Sequence, residues 1–72
     1  MPRRRPFRAL GRLGVVPGQR RRLRRLRTTA VYEVLEVERE YVRVRVVDVP
    51  GLQPGAEIRL AARAVEAMEV VG

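Results

Sequence analysis

Residues 28–49 have the sequence TTAVYEVLEVEREYVRVRVVDV, in which valine stands at almost every second position. Successive side chains of a β-strand point to opposite faces, so this alternation is typical of strands that bury one face. We therefore predict two long strands over residues 29–49, joined by a tight turn at Arg39 and Glu40.

A two-residue turn also predicts the register of this hairpin. It places apolar pairs on one face and an opposite-charge pair on the other, and such cross-strand pairs stabilise a sheet. The predicted pairs are Val37 with Val42, Glu36 with Arg43, and Leu35 with Val44. A longer loop would shift all three.

Both strands change phase along their length. The apolar residues at even positions are Tyr32 and Val34 in the first strand and Val42, Val44 and Val46 in the second; those at odd positions are Leu35, Val37, Val47 and Val49. A strand exchanges its buried face only at a bulge or a sharp bend, so a strongly curled sheet is predicted. The alternative is that Val34 and Val46 are exposed.

The segments around the hairpin complete a small sheet. Pro17 and Gly18 fit a type II turn over residues 16–19. Residues 19–27 are predicted as a strand that precedes the hairpin; Leu23 and Leu26, three apart, leave helix as the alternative. At the N-terminus we predict a basic tail over residues 1–5 and a short helix that starts at Pro6. After the hairpin we predict a loop over 50–55, a strand over 56–60 and a helical turn over 61–64. The last predicted strand covers 66–71, with Met68 and Val70 on the same face.

This order of elements resembles the SH3-like small barrel. The predicted fold class is all-β, a small five-stranded SH3-like barrel over residues 18–72, preceded by a basic N-terminal arm, residues 1–17, that contains the short helix. The resemblance implies a binding module for peptides, nucleic acid or other proteins. Phe7, Tyr32 and Tyr41 are the only aromatic residues, which argues against binding of proline-rich peptides.

A second resemblance lies in residues 10–18, LGRLGVVPG. This run is similar to the L-x-x-L-G-[LV]-x-P-G segment of FeoA-type domains, accessory modules of bacterial ferrous-iron transport, and implies a regulatory role. The chain departs from that pattern afterwards. It lacks the P-L-G-x-P segment, and Arg21 stands where an apolar strand residue is expected.

The composition excludes most catalytic chemistry. The chain has no Ser, His, Cys, Lys, Asn or Trp, so the usual nucleophiles, general bases and soft metal ligands are missing. We expect no enzymatic activity, no cofactor and no metal; the glutamates at 33, 36, 38 and 40 are interpreted as a solvated face. No apolar run is long enough to cross a membrane, and a cytoplasmic location is expected by default.

Charge is distributed unevenly. Residues 1–28 hold eleven arginines and no acid, whereas residues 29–72 hold five arginines and eight acids. A polyanion, RNA or DNA, is the partner that such a basic segment favours, with an acidic protein surface as the alternative. The candidate nucleic-acid-binding residues are Arg20, Arg21, Arg22, Arg24, Arg25 and Arg27.

Overall fold

The computed structural model describes residues 14–71, which form one five-stranded antiparallel sheet with the strand order β4-β3-β2-β1-β5. The elements are β1 (Arg20–Arg25), β2 (Thr28–Val37), β3 (Tyr41–Asp48), β4 (Glu57–Ala61), α1 (Ala62–Glu66) and β5 (Glu69–Val71). The prediction of an all-β chain is confirmed. The predicted basic tail and N-terminal helix lie outside the described residues.

The β2–β3 hairpin has the predicted turn, and a bulge lies near it in β2. Residues 38–40 separate the strands, and the Glu38 N–H donates to the Tyr41 carbonyl at 2.8 Å, which leaves Arg39 and Glu40 as the turn. The pairs Val37–Val42 and Glu36–Arg43 are confirmed, but the next pair is Val34–Val44. The predicted pairing of Leu35 with Val44 is wrong, because Leu35 is the extra residue of a β-bulge.

A second irregularity lies at the other end of the hairpin. Tyr32 faces Val46 and Val31 faces Asp48, so Val47 is the extra residue on β3. The two bulges account for the change of phase in each strand. Val34 and Val46 are fully buried, so the alternative in which they are exposed is wrong.

Residues 20–25 form a strand, as predicted, and β1 pairs with β2 through a two-residue turn at Leu26 and Arg27. The sequence contains no glycine or proline to mark this turn. Leu26 supplies the required conformation itself, with φ at +48°.

Three Pro-Gly dipeptides make similar turns. In each, glycine has a positive φ and the residue after it donates its N–H to the carbonyl three residues back, as a type II turn requires. The turns span residues 16–19, 49–52 and 53–56. The first confirms the predicted turn, and the other two build the predicted loop between β3 and β4.

The core is made mostly of valine and lies on one face of the sheet. Its buried members are Val15, Ala30, Tyr32, Val34, Val42, Val44, Val46, Ala62, Val65 and Met68. Because Val15 belongs to this cluster, the folded unit includes residues that precede the first Pro-Gly turn. Met68 is buried as its phase predicts, whereas Val70 is exposed.

The predicted barrel is not closed. Within residues 14–71, β4 pairs only with β3 and β5 pairs only with β1, so both remain edges of an open sheet. The last strand has three residues, fewer than predicted, because residues 62–66 form α1 and the chain joins the sheet again only at Glu69. The helix stands between the two edge strands, β4 and β5, in the chain and packs on β3 and β4.

Candidate nucleic-acid interface

The alternation of β1 separates the six candidate arginines. Arg20, Arg22 and Arg24 share the outer face of the sheet, opposite the core, whereas Arg21 points with Leu23 toward the core. Arg25 is exposed at the end of the strand, and Arg27 lies in the turn that follows. These six arginines are close in sequence, but they are distributed over the outer face of the sheet, its core face and the end of the β1–β2 hairpin.

Arg21 is buried, with 4% of its surface exposed. Its Nη1 donates to the carbonyl oxygens of Val65 and Met68 at 3.3 and 2.9 Å, and its Nε donates to the Gln19 side chain at 2.9 Å. Burial lowers the pKa of its guanidinium, an effect that the charge of Glu66 partly opposes. Arg21 therefore joins β1 to the end of α1, and we remove it from the set of phosphate ligands.

Arg22 is half-buried and holds the neighbouring strand. Its Nη2 lies 3.1 Å from a carboxylate oxygen of Glu69 on β5, and its Nε donates to the other oxygen at 3.1 Å. This hydrogen bond and the opposite charge raise the pKa of Arg22 and lower that of Glu69. Because its positive charge is matched, Arg22 is a weaker candidate than its neighbours.

The other four candidates are exposed, although the charge of Arg24 helps to lower the pKa of Glu69. Within the described part of the chain, no hydrogen bond or ion pair joins their guanidinium groups to another residue: Arg20, Arg24, Arg25 and Arg27. Three of them lie within four residues at the β1–β2 turn. Arg20 lies at the opposite end of β1, roughly 13 Å from Arg24 along an extended strand. We call residues 24–27 the hairpin end.

Arginines elsewhere on the outer face are paired with glutamates on adjacent strands. Arg43 lies 2.8 Å from Glu36, the pair that the hairpin register predicted, and 3.2 Å from Glu57. Arg45 lies 3.1 Å from Glu33, which is the glutamate that faces Arg20 across β1 and β2. Three glutamates of the sheet, Glu33, Glu36 and Glu57, thus lie beside β3 arginines, whereas no ion pair forms at the hairpin end in the described residues.

Leu26 is the part of this region that sequence reasoning missed. Its relative exposure is 108%, and its φ lies in the left-handed region, which bulky side chains rarely adopt. It stands between Arg25 and Arg27 at the tip of the turn. A turn signal of glycine or asparagine would have located this tip, and the sequence has none there.

The hairpin end has no aromatic side chain. Tyr32 belongs to the core. Tyr41 is the first residue of β3, beside the end of β2 that is far from the hairpin end, and it lines a pocket of about 340 Å³ together with Glu40 and Arg63. Bases that stack on proteins normally do so on aromatic rings, so the arrangement favours contacts with phosphates.

Residues 14–71 contain neither a cluster of metal-ligating side chains nor a helix that could span a membrane. No group of three or more carboxylates is arranged to hold a metal ion. No helix has the length and apolar character that a membrane span requires.

Comparison with known proteins does not identify a family. No family model matches the chain, and no match is found among curated proteins or solved structures.

Proposed function

We propose that this protein is a non-enzymatic module that binds nucleic acid, RNA or DNA, through the hairpin end and Arg20. The observation that carries the proposal is the contrast in pairing. Arg43 and Arg45 each form ion pairs with glutamates, whereas the exposed arginines of the hairpin end form none within the described residues. A cluster of unmatched guanidinium groups attracts phosphates, and arginine forms bidentate contacts with them.

The scaffold suits this role. We also propose that the sheet is related to SH3-like small barrels. Two features support this relation: β5 lies beside β1 in an antiparallel sheet, and a short helix precedes the last strand. In such a scaffold the β1–β2 hairpin ends in a narrow tip, and Arg24, Arg25 and Arg27 project from it on both sides of a two-residue turn.

Binding of this kind is dominated by the backbone of the nucleic acid. Contacts with phosphates position a protein but carry no information on base sequence, and the hairpin end offers few other polar groups. We therefore expect affinities to differ little between unrelated sequences of the same form. They should fall steeply as salt rises, because each neutralised phosphate releases counterions.

The test compares two triple variants with the same change of charge. In the first, Arg24, Arg25 and Arg27 are replaced by Gln. In the second, the matched control, three exposed arginines outside the hairpin end are replaced: Arg39, Arg59 and Arg63. Affinity for a mixed-sequence duplex and for a structured RNA is measured across a salt series, and circular dichroism confirms that both variants are folded.

Loss of three duplex contacts should reduce the slope of log affinity against log salt by about 2.7, since each contact contributes about 0.9. The control variant should keep nearly the slope of the parent. Equal effects of the two variants would show that only net charge matters and would contradict the proposed interface. If the parent binds neither nucleic acid at low salt, the proposed function is wrong, and the alternative of an acidic protein partner gains.

A further inference from the structure

We propose that Leu26 is a wedge that inserts between base pairs of duplex DNA when the hairpin end binds. This inference rests on the proposed function and specifies how the same region engages one form of nucleic acid. It starts from a fully exposed leucine that the two-residue turn holds in a left-handed backbone conformation.

Leu26 is unfavourable in two independent ways. A left-handed backbone costs a non-glycine residue on the order of 1 kcal/mol, and glycine or asparagine would avoid most of that cost. Its side chain is also fully exposed at the tip and packs against nothing in residues 14–71. Strained and exposed residues of this kind are found where a partner binds.

The neighbours of Leu26 indicate the chemistry of that partner. Arg25 precedes it, Arg27 follows it, and Arg24 lies one residue further back on β1; all three are exposed, and none forms a hydrogen bond or ion pair in the described residues. An apolar side chain surrounded by cations fits a surface with apolar layers beneath a line of anions. Duplex DNA has this arrangement, with stacked bases between two phosphate backbones, and apolar wedges that enter the minor groove unstack a base step and kink the duplex.

Two other partners fit less well. Burying one leucine contributes only about 2–3 kcal/mol, too little to hold the protein on a lipid surface, and the hairpin end has no second apolar residue. Single-stranded nucleic acid is bound by stacking on aromatic rings, which this region lacks. A single aliphatic side chain is sufficient for a wedge.

The wedge also predicts which duplexes bind best. A pyrimidine–purine step such as TA unstacks easily, whereas an A-tract is stiff. We expect a duplex with a central TA step to bind several-fold more tightly than one with a central A-tract, even though no base edge is recognised. This preference should depend on Leu26 and not on the arginines.

The experiment uses two substitutions at one position in the full chain. Leu26→Met keeps an apolar side chain, whereas Leu26→Asn keeps a similar size, tolerates the left-handed backbone and removes the apolar surface. Both are titrated onto duplexes that carry 2-aminopurine beside a central TA step or within an A-tract. Fluorescence of this base rises when it is unstacked, and donor and acceptor dyes on the duplex ends report bending.

The parent and Leu26→Met should raise the 2-aminopurine signal and bring the duplex ends closer. Leu26→Asn should bind about tenfold more weakly to the TA duplex, keep the salt slope of the parent, and neither unstack nor bend it. A Leu26→Asn variant that unstacks and bends the duplex as the parent does would overturn the wedge while leaving the arginine interface intact. Failure of the parent to bind duplex DNA would overturn the wedge, and the proposed function would be wrong as well only if the parent also failed to bind structured RNA. The wedge would also be overturned by a third result: the parent binds vesicles of anionic phospholipid, Leu26→Asn does not, and the parent leaves the DNA bases stacked.

Discussion

The outer face of β3 and the hairpin end both present arginines, but only those on β3 form ion pairs with glutamates. On β3, Arg43 and Arg45 lie within 3.2 Å of glutamates on the adjacent strands, so their charge is matched where it stands. At the hairpin end, Arg25 and Arg27 have no acidic neighbour in the described residues. The number of arginines therefore says little about binding; the strand register decides which of them a partner can use.

The same comparison applies to the role of each region in the fold. The β2–β3 hairpin contains the two bulges and much of the valine core, so changes there should act on stability. The hairpin end contributes no buried residue, so changes there should act on binding. Substitutions in the two regions, with both unfolding and nucleic-acid binding measured, can therefore test whether the β2–β3 hairpin serves stability and the hairpin end serves binding.

The largest expected effect is on the bulged strand. Val34→Ala removes two methyl groups from a fully buried site and should lower the free energy of unfolding by about 2–4 kcal/mol. Leu35→Ala, at the neighbouring bulge position, should cost clearly less, because Leu35 is only partly buried. Chemical denaturation of both variants measures the difference. A larger loss for Leu35→Ala would mean that the register assigned to β2 is wrong.

A somewhat smaller effect should distinguish two adjacent arginines. Arg21→Met keeps an apolar stem but removes the guanidinium donor from the carbonyls of Val65 and Met68, of which Val65 keeps the Met68 N–H; the loss should cost about 2–3 kcal/mol. Arg20→Met, at an exposed position without a partner, should stay within about 0.5 kcal/mol of the parent. Thermal or urea unfolding provides the measurement. Equal stability of the two variants would contradict the division between structural and available arginines.

The smallest expected effect on stability comes from the ion pair between Arg22 on β1 and Glu69 on β5. The Arg22 hydrogen bond and charge hold the pKa of Glu69 below its usual 4.5. A carboxylate with a lowered pKa in the folded state adds stability above pH 4.5, and this stability is lost as pH falls through the lower value. Glu69→Gln should therefore lower Tm slightly at pH 7, and the difference from the parent should close toward pH 3. A difference that stays constant over this range would show that the pair does not contribute through its charge.

Much of the fold follows from local signals in the sequence. Alternating valines and paired Pro-Gly turns are local properties of the chain, so the strand order from β1 to β5 and the turns at residues 16–19 and 39–40 could be predicted. The changes of phase predicted that both long strands must bulge or bend. The position of the bulge at Leu35 could not be derived, because either register buries apolar residues and only the packing of Val34 against Val44 selects one.

The sequence by itself determined that this chain is a small, all-β, arginine-rich module in which the acids all follow residue 28. Only the tertiary structure decided whether the sheet closes, because closure depends on how far β5 extends after α1 brings the chain back to β1. It also decided which arginines remain available: Arg21 is bound to carbonyls 44 and 47 residues later in the chain, and Glu33 is taken by Arg45. Contacts between residues so far apart leave no local pattern, so residue type alone cannot separate a structural arginine from one that can bind a phosphate.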